Sequence, residues 1–366
     1  MIVVTPAHDT GKDAVSPTTG AQPVLGGPGA RRPTITDVAK AAGVSIAVVS
    51  YALNGRPGVS AATRERVLRV ADEFGWRPSA AARSMRSGPR AVGLVVDRGL
   101  TGAVGYGAHV LEFVVALQDV LATRHLALVL QVVDDLPAAV ALYGEWWAER
   151  RFDVMVVTDV RTEDPRLDAL RRLRIPAVVV GAGDVAGEVA NVRVDDEQAA
   201  ERVGRYLIEL GHRHVGAVTG PASLQRTRSR VAGMERALDT AGATLVHEPT
   251  GGSPEEAAAA CRRLLTGDRP PSAVVFDTDH MAVAALDVAR RTGLAVPWDV
   301  SIVALSDSPL CRLATPSITS LPSVQADLGT AVGEAVLTVL DSQAAPVRDI
   351  EVGGLAVRGS TGPRSR

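Results

Sequence analysis

Paired acids are the most conspicuous candidates for chemistry in this chain: Asp134-Asp135, Asp195-Asp196, and Asp277 with Asp279. Two carboxylates can share acid and base work when their surroundings push their pKa values apart. None of these pairs has a second acid or a nucleophile at an interpretable spacing, so no catalytic residue is assigned. His212 and His214 lie two residues apart at a loop-to-strand junction. Two ligands do not complete a zinc site, which takes three or four, so no metal is expected. Gly181, Gly183 and Gly187 follow an apolar strand and imitate a phosphate-cradling turn. The spacing is GxGxxxG, and the following Asn191–Val194 reads as strand where a dinucleotide site needs a helix. No cofactor is expected, and a Rossmann-type oxidoreductase is the weaker reading. Trp146-Trp147 reads as helix packing. Cys261 and Cys311 lack CxxC spacing, which argues against a disulfide scaffold or cysteine zinc site and fits a reducing cytoplasm. These residues point to binding and away from enzyme catalysis.

Charge says what could be bound. Between Arg31 and Arg90 stand 11 Lys and Arg against 4 Asp and Glu, a net of +7. Residues 91–366 hold 27 against 35, a net of −8. The whole chain, at −2, hides this split. A basic unit joined to an acidic one suggests a polyanion partner for the first, although a plain charged surface reads the same way. The chain is 366 residues long, 46% hydrophobic and 22% charged, enough to bury a core in two or three units. No apolar run reaches the roughly 18 residues of a membrane span, and residues 1–33 show no secretory signal. No membrane partner is expected.

The elements that must position these residues fall into two series. Residues 1–32 are rich in Gly, Pro, Thr and Ala without apolar period and read as a disordered tail. Three short helices follow, about Ile35–Ala42, Ile46–Leu53 and Ala61–Phe74. Thr34 with Asp37 forms a capping-box signal, and Gly43 stops the first helix. Ser45 and Ser60 cap the next two, and Asn54-Gly55 ends the second. Val38, Ala39, Val44, Val49, Leu53, Val67 and Leu68 are the expected core. A sharp turn at Ala42-Gly43-Val44-Ser45 is helix-turn-helix geometry. It would place Ser45, Ile46, Ala47, Ser50 and Tyr51 against base edges; a purely structural three-helix bundle is the alternative. From Ala91 apolar strands alternate with helices twice over, implying parallel sheets covered on both faces and two doubly wound lobes. The fold class is therefore α plus α/β: a three-helix head, a short Ala-rich helix at Ser79–Arg86, and two parallel α/β lobes. A ligand would sit at the strand ends between the lobes.

Several runs carry a family resemblance. Thr34–Ser45 (TITDVAKAAGVS), Val49–Gly55 (VSYALNG), Val59–Val67 and Trp76–Arg86 resemble the head of the lactose-repressor (LacI/GalR) family. Glu209–Val215, Arg230–Gly233, Val296–Val303 and Val357–Thr361 resemble its periplasmic-binding-protein-like sensor. The resemblance implies a homodimeric transcription regulator, a repressor in the first instance, acting on a pseudo-palindromic operator in the cytoplasm, at the nucleoid. It implies a helix-turn-helix domain over 33–78, a hinge over 79–90 and an effector domain over 91–361. The first lobe is expected at about 91–192 and 322–344, the second at about 193–321 and 345–361. It adds Thr34, Thr36, Asn54 and Thr63 to the DNA-facing set, with Ala82 and Met85 in a hinge helix, Met85 as the wedge opening a base step. For the effector, a sugar or another metabolite, it implies Tyr106, Arg228, Arg230, Thr278, Asp279, Ser306 and Asp307. Three departures stand out. Tyr51 replaces the usual arginine, and tyrosine lacks the bidentate fork that arginine offers guanine. Thr278 and Ser306 replace an Asn and an Asp typical of sugar sites, and the first cleft loop, Asp97–Tyr106, is glycine-rich. A sugar effector and a different one both stay open. The rival reading is a solute-binding or sugar-processing protein with a helical head that does not touch DNA.

Overall fold

The computed structural model describes residues 33–53, 56–74, 76, 91–98, 106–181, 189–342 and 344–364. They form two compact units that divide near residue 82. The tail 1–32, Asn54-Gly55 and the expected hinge 79–90, with Ala82 and Met85, lie outside the described residues.

The first unit is three helices: α1 Ile35–Ala42, α2 Ile46–Leu53 and α3 Ala61–Glu73. Local chemistry sets each start. The Thr34 hydroxyl accepts from Asp37 N, and Asp37 Oδ2 accepts from Thr34 N at 2.7 Å, a closed capping box. Gly43 ends α1 at φ 67°, a left-handed conformation that glycine adopts without strain. The chain then turns through 98° into α2. Val38, Val49 and Val67, all fully buried, meet with Ala39, Ala42, Ala52 and Ala71 to make a small core. Leu68, expected in that core, is 47% exposed, and Phe74 also faces outward. Each neighbours a buried residue of α3 in sequence or spacing, and a helix of this length buries only one stripe.

The second unit holds two parallel sheets. In the first the order is β11-β5-β4-β3-β1-β2, with β1 Ala91–Asp97, β2 Ala127–Val133, β3 Val154–Val157, β4 Ala177–Val180, β5 Ala190–Val194 and β11 Val347–Ile350. In the second it is β10-β9-β8-β6-β7, with β6 His214–Thr219, β7 Thr244–Pro249, β8 Ala273–Phe276, β9 Ser301–Ala304 and β10 Thr319–Ser320. The side-chain period of two sends Val92, Leu94 and Val96 to one core and Val95 to the other, so the strands read as unbroken apolar runs. Helices α4 Tyr106–Ala122 and α12 Gln325–Ser342 cover one face of the first sheet, α5 Leu136–Ala148 and α6 Pro165–Leu173 the other. Trp146 and Trp147 both stack near Phe152 at centroid distances of 6.4 and 5.6 Å, within that second core. Around the second sheet lie α7 Asp196–Glu209, α8 Gln225–Thr240, α9 Pro254–Thr266, α10 Asp279–Arg291 and α11 Pro309–Leu313.

One lobe boundary needs correction. The sequence reading placed 345–361 wholly in the second lobe, yet Val347–Ile350 pairs in parallel with β5 at the edge of the first sheet. Its residues alternate between exposed and half-buried, so it lacks the apolar run that marks a buried strand. The chain crosses between lobes three times: after β5, between β10 and α12, and between β11 and Ala356, which bridges Ser320.

Candidate functional site

In the first unit, the exposed side of α2 is the candidate contact surface. Ser45, Ile46, Ala47 and Tyr51 are exposed and Ser50 is half-buried, while Val49 and Ala52 point into the core. The spacing i, i+1, i+4, i+5 makes this one face of a helix. Ser45 Oγ accepts from Val48 N at 3.3 Å. Thr36 is exposed on the first turn of α1. Thr34 and Thr63 are half-buried, Thr34 in its capping box and Thr63 Oγ1 2.9 Å from Ser60 Oγ. Helices crossing near a right angle leave α2 projecting, the shape a helix needs to enter the major groove. The same unit carries Lys40, Arg66 and Arg69 as exposed cations and Arg64 as a half-buried one, the kind of side chain that contacts phosphates.

In the second unit, a cavity of about 170 Å3 opens at the carboxyl ends of both sheets, lined by residues that end or follow β1, β3, β4, β6, β8 and β9. The first lobe contributes a largely apolar wall: Leu94, Val96, Val110, Phe113, Val180 and Leu328. The second contributes Arg226, Arg230, Asp277, Thr278, His280 and Ser306. Arg230 is held at Nε by Asp196 Oδ1 at 2.7 Å and at Nη1 by Asp277 Oδ1 at 3.3 Å. Burial alone would lower its pKa; the carboxylates of Asp196 and Asp277 outweigh that and raise it, so it stays a cation. Its Nη2 meets no acceptor among the described residues. Asp277 Oδ2 is committed as well, accepting from Gly220 N at 2.8 Å and Thr227 Oγ1 at 3.4 Å.

Packing explains how Arg230 reaches Asp196. Gly233, one turn along α8, lies so close to α7 that a Cβ there would fall 2.0 Å from Glu197 O. The glycine of the Arg230–Gly233 run is therefore a spacer that lets two helices touch and puts cation beside acid.

Contacts inside the second unit also join its lobes. Arg226 pairs with Asp159, and Arg228 Nη1 donates to Thr162 Oγ1 at 3.1 Å. Gln225 N donates to Val160 O and Thr162 N to Ser223 O, both at 2.9 Å. Behind this loop the buried pair of Arg166 and Asp164, at 2.6 Å, accepts and donates to fix its backbone: Asp164 Oδ2 accepts from Arg161 N, and Arg166 Nη2 donates to Asp159 O. His109 Nε2 of α4 and His280 Nδ1 lie 3.4 and 3.2 Å from the same oxygen, Asp279 Oδ1. Burial would raise the Asp279 carboxyl, but hydrogen bonds from His109, His280 and Ser308 hold it well below the usual carboxylate range. An ionised carboxylate only accepts, so both ring nitrogens carry protons there.

Of the effector residues expected from sequence, Arg230, Thr278 and Ser306 line the cavity; Arg228, Asp279 and Asp307 do not. Arg228 is engaged across the lobes. Asp279 is 2% exposed, its carboxylate turned to the two histidines. Asp307 is clamped by Arg358, at 3.0 and 2.8 Å, and by Arg312 at 3.0 Å. Burial raises its carboxyl pKa, and the hydrogen bonds from Arg358 and Ser320 together with the charges of Arg358 and Arg312 outweigh this and lower it. Tyr106 starts α4, and its side chain lies outside the described residues. Sequence reasoning missed His109, Asp159 and Arg226; their partners are 170 and 67 residues away, beyond any local pattern. Asp196 and Asp277 were noticed as acids without a role, and Arg230 supplies it. His212 and His214 are satisfied structurally, by Ser272 and Gly362 O and by Thr244 and Arg269 O.

Comparison with known proteins places both units. Residues 34–79 match the bacterial regulatory proteins of the lacI family, and residues 205–361 match the periplasmic binding protein-like domain. The HTH-type transcriptional repressor PurR of Salmonella newport is 29% identical over 327 residues, covering 87% of this chain and 94% of that protein. The transcriptional regulator CelR in complex with cellobiose superposes with a TM-score of 0.66 at 28% identity, over 90% of this chain and all of that one. The lac repressor dimer bound to operator and anti-inducer shares the fold, with a TM-score of 0.80 at 22% identity over 91% of this chain and 100% of that one. A capped helix-turn-helix head and a two-lobed body with a cleft at its strand ends are thus those of a known lineage, and this chain belongs to the LacI/GalR family of DNA-binding transcriptional regulators.

Proposed function

We propose that the protein acts as a homodimeric repressor that binds a pseudo-palindromic operator in the cytoplasm and changes its operator affinity when a small metabolite enters the cleft. It works by binding, without catalysis. The observation that carries the reading is the cleft itself: a cavity with walls from both lobes and a guanidinium whose Nη2 meets no acceptor among the described residues. A ligand bridging such walls favours one angle between lobes over another, and it shifts the operator equilibrium only through that difference. The ligand that fits is a small metabolite, sugar or otherwise, that sets an acceptor on Arg230 and an apolar face against Phe113, Val180 and Leu328. Self-association is supported by exposed apolar pairs on the body: Leu111 (61%) with Val115 (51%) on α4, and Leu310 (44%) with Leu313 (80%) on α11. The expected hinge at 79–90, with Met85 as wedge, belongs to the same proposal.

The test is a metabolite screen read by operator affinity, using a duplex selected from a random pool. A hit should shift the affinity of the wild-type chain. Arg230→Lys keeps the charge and loses the planar fork; it should raise the half-maximal ligand concentration at least about tenfold, a loss of roughly 1.4 kcal/mol, with unliganded operator affinity unchanged. An equal ligand response in both proteins would remove the cleft from the reading.

A further inference from the structure

The reading surface of α2 is short of donors. Its eight residues, Ile46 to Leu53, include no Arg, Lys, Asn or Gln, the side chains that pair with purine edges in the major groove. Only hydroxyls remain: Ser45 before it, and Ser50 and Tyr51 within it. Yet a guanidinium stands on this surface. Arg56, in the turn after α2, lies over the Tyr51 ring at 5.8 Å from its centroid.

Its backbone is fixed at both ends. Arg56 N donates to Tyr51 O at 3.0 Å, the bond that closes the end of α2. Arg56 O accepts from Arg64 Nη2 at 2.7 Å, tying the turn to α3. Both Arg56 and Tyr51 are exposed, and the Arg56 guanidinium meets no acceptor among the described residues. A guanidinium held over an aromatic ring spends no N–H on a hydrogen bond there. Its edge offers two parallel donors, and the matching partner is guanine, with O6 and N7 side by side.

We propose that Arg56, held by Tyr51, reads a guanine in each operator half-site, and that Tyr51 is its positioning residue. The arginine that α2 lacks is supplied from the turn behind it. This rests on the reading that α2 enters the major groove. Both side chains are exposed, so their substitution leaves the helical core untouched.

The experiment is selection from a random DNA pool with the full-length chain, followed by titration of single-base variants of the selected duplex over a range of salt. The wild type should select a guanine at one position in each half-site. Arg56→Ala should lose discrimination at that position alone, by about 5- to 150-fold, the range of a bidentate arginine–guanine pair. Arg56→Lys should also lose it, because an ammonium has no fork. Tyr51→Phe should keep it and Tyr51→Ala should weaken it. An Arg56→Ala variant that loses affinity equally for every sequence, with a salt slope shallower by about one per protomer, would make Arg56 a phosphate contact and overturn the proposal. Unchanged base preference in Arg56→Ala would overturn it while leaving α2 as the reading helix. A wild type that selects no sequence would overturn both.

Discussion

Replacing Gly233 by alanine tests whether the body is built as described, because the structure fixes both the sign and the size. In an exposed helix interior this change stabilises by about 0.8–1 kcal/mol. Here the added Cβ would sit 2.0 Å from Glu197 O, 2.9 Å from Glu197 C and 3.0 Å from Glu201 N. All three are backbone atoms of α7, which cannot rotate aside. The helices must part by about 1 Å or more to restore contact distance, and a gap of that size forfeits a quarter to a half of each dispersion contact it opens. Val203, Leu207, Met234 and Leu238 share the seam. Overpacking of this kind costs about 1–3 kcal/mol, and rigid backbone puts it at the upper end. Subtracting the propensity gain leaves a net loss of about 2 kcal/mol, or roughly 4–8 °C in the melting temperature of a body this size. The same movement stretches the 2.7 Å bond from Arg230 to Asp196, so the ligand response should weaken too. Gly144 on α5 is the control. Its Cβ would meet only Leu173 Cδ1, at 4.0 Å, so Gly144→Ala should raise stability by up to about 1 kcal/mol. Urea or thermal unfolding of the two variants beside wild type decides the matter. If Gly233→Ala is as stable as Gly144→Ala, α7 and α8 do not touch at Gly233, and the account of how Arg230 is placed fails.

Asp307→Asn should destabilise the body by about 1–3 kcal/mol, because Arg358 and Arg312 lose their carboxylate, with ligand response intact; the reverse pattern would return Asp307 to the cleft. Asp279 has a depressed folded-state pKa, so its contribution is fully present above the unfolded value near 3.9 and is lost as pH falls from there through the folded value. Unfolding midpoints measured from pH 7 down to 3 should therefore fall less steeply below about pH 4 in Asp279→Asn than in wild type, and parallel curves would count against the histidine-held carboxylate. Leu313→Asp places a charge on the most exposed leucine of α11; sedimentation should show a shift toward monomer and weaker operator binding, and an unchanged dimer would move the interface elsewhere.

What could be read from sequence was local. The capping box at Thr34 and Asp37, the left-handed stop at Gly43 and the face of α2 all follow from residues within one or two turns. So does the parallel α/β alternation, because strands buried on both faces leave continuous apolar runs. Two of the edge strands escaped for the same reason: β11 buries neither face well, and β10 is two residues long. In the cleft, sequence position could say that Asp279, Asp307 and Arg228 stand near strand or helix ends. It could not say that each turns to a partner and away from the cavity, since those partners lie 1 and 170, 5 and 51, and 66 residues off. The surface of the head illustrates the same limit. Tyr51 in place of arginine is visible in the sequence, but the return of a guanidinium from Arg56 needs the turn's three-dimensional course.

The central claim is that this chain recognises a DNA sequence. The most direct measurement is equilibrium titration of the full-length protein against its pool-selected duplex and a scrambled duplex of the same length and composition, at about 0.15 M salt, where exposed charges act over only about 8 Å. Sequence recognition predicts at least about 1,000-fold tighter binding to the selected duplex. Equal affinity for the two, with or without added metabolite, would contradict it.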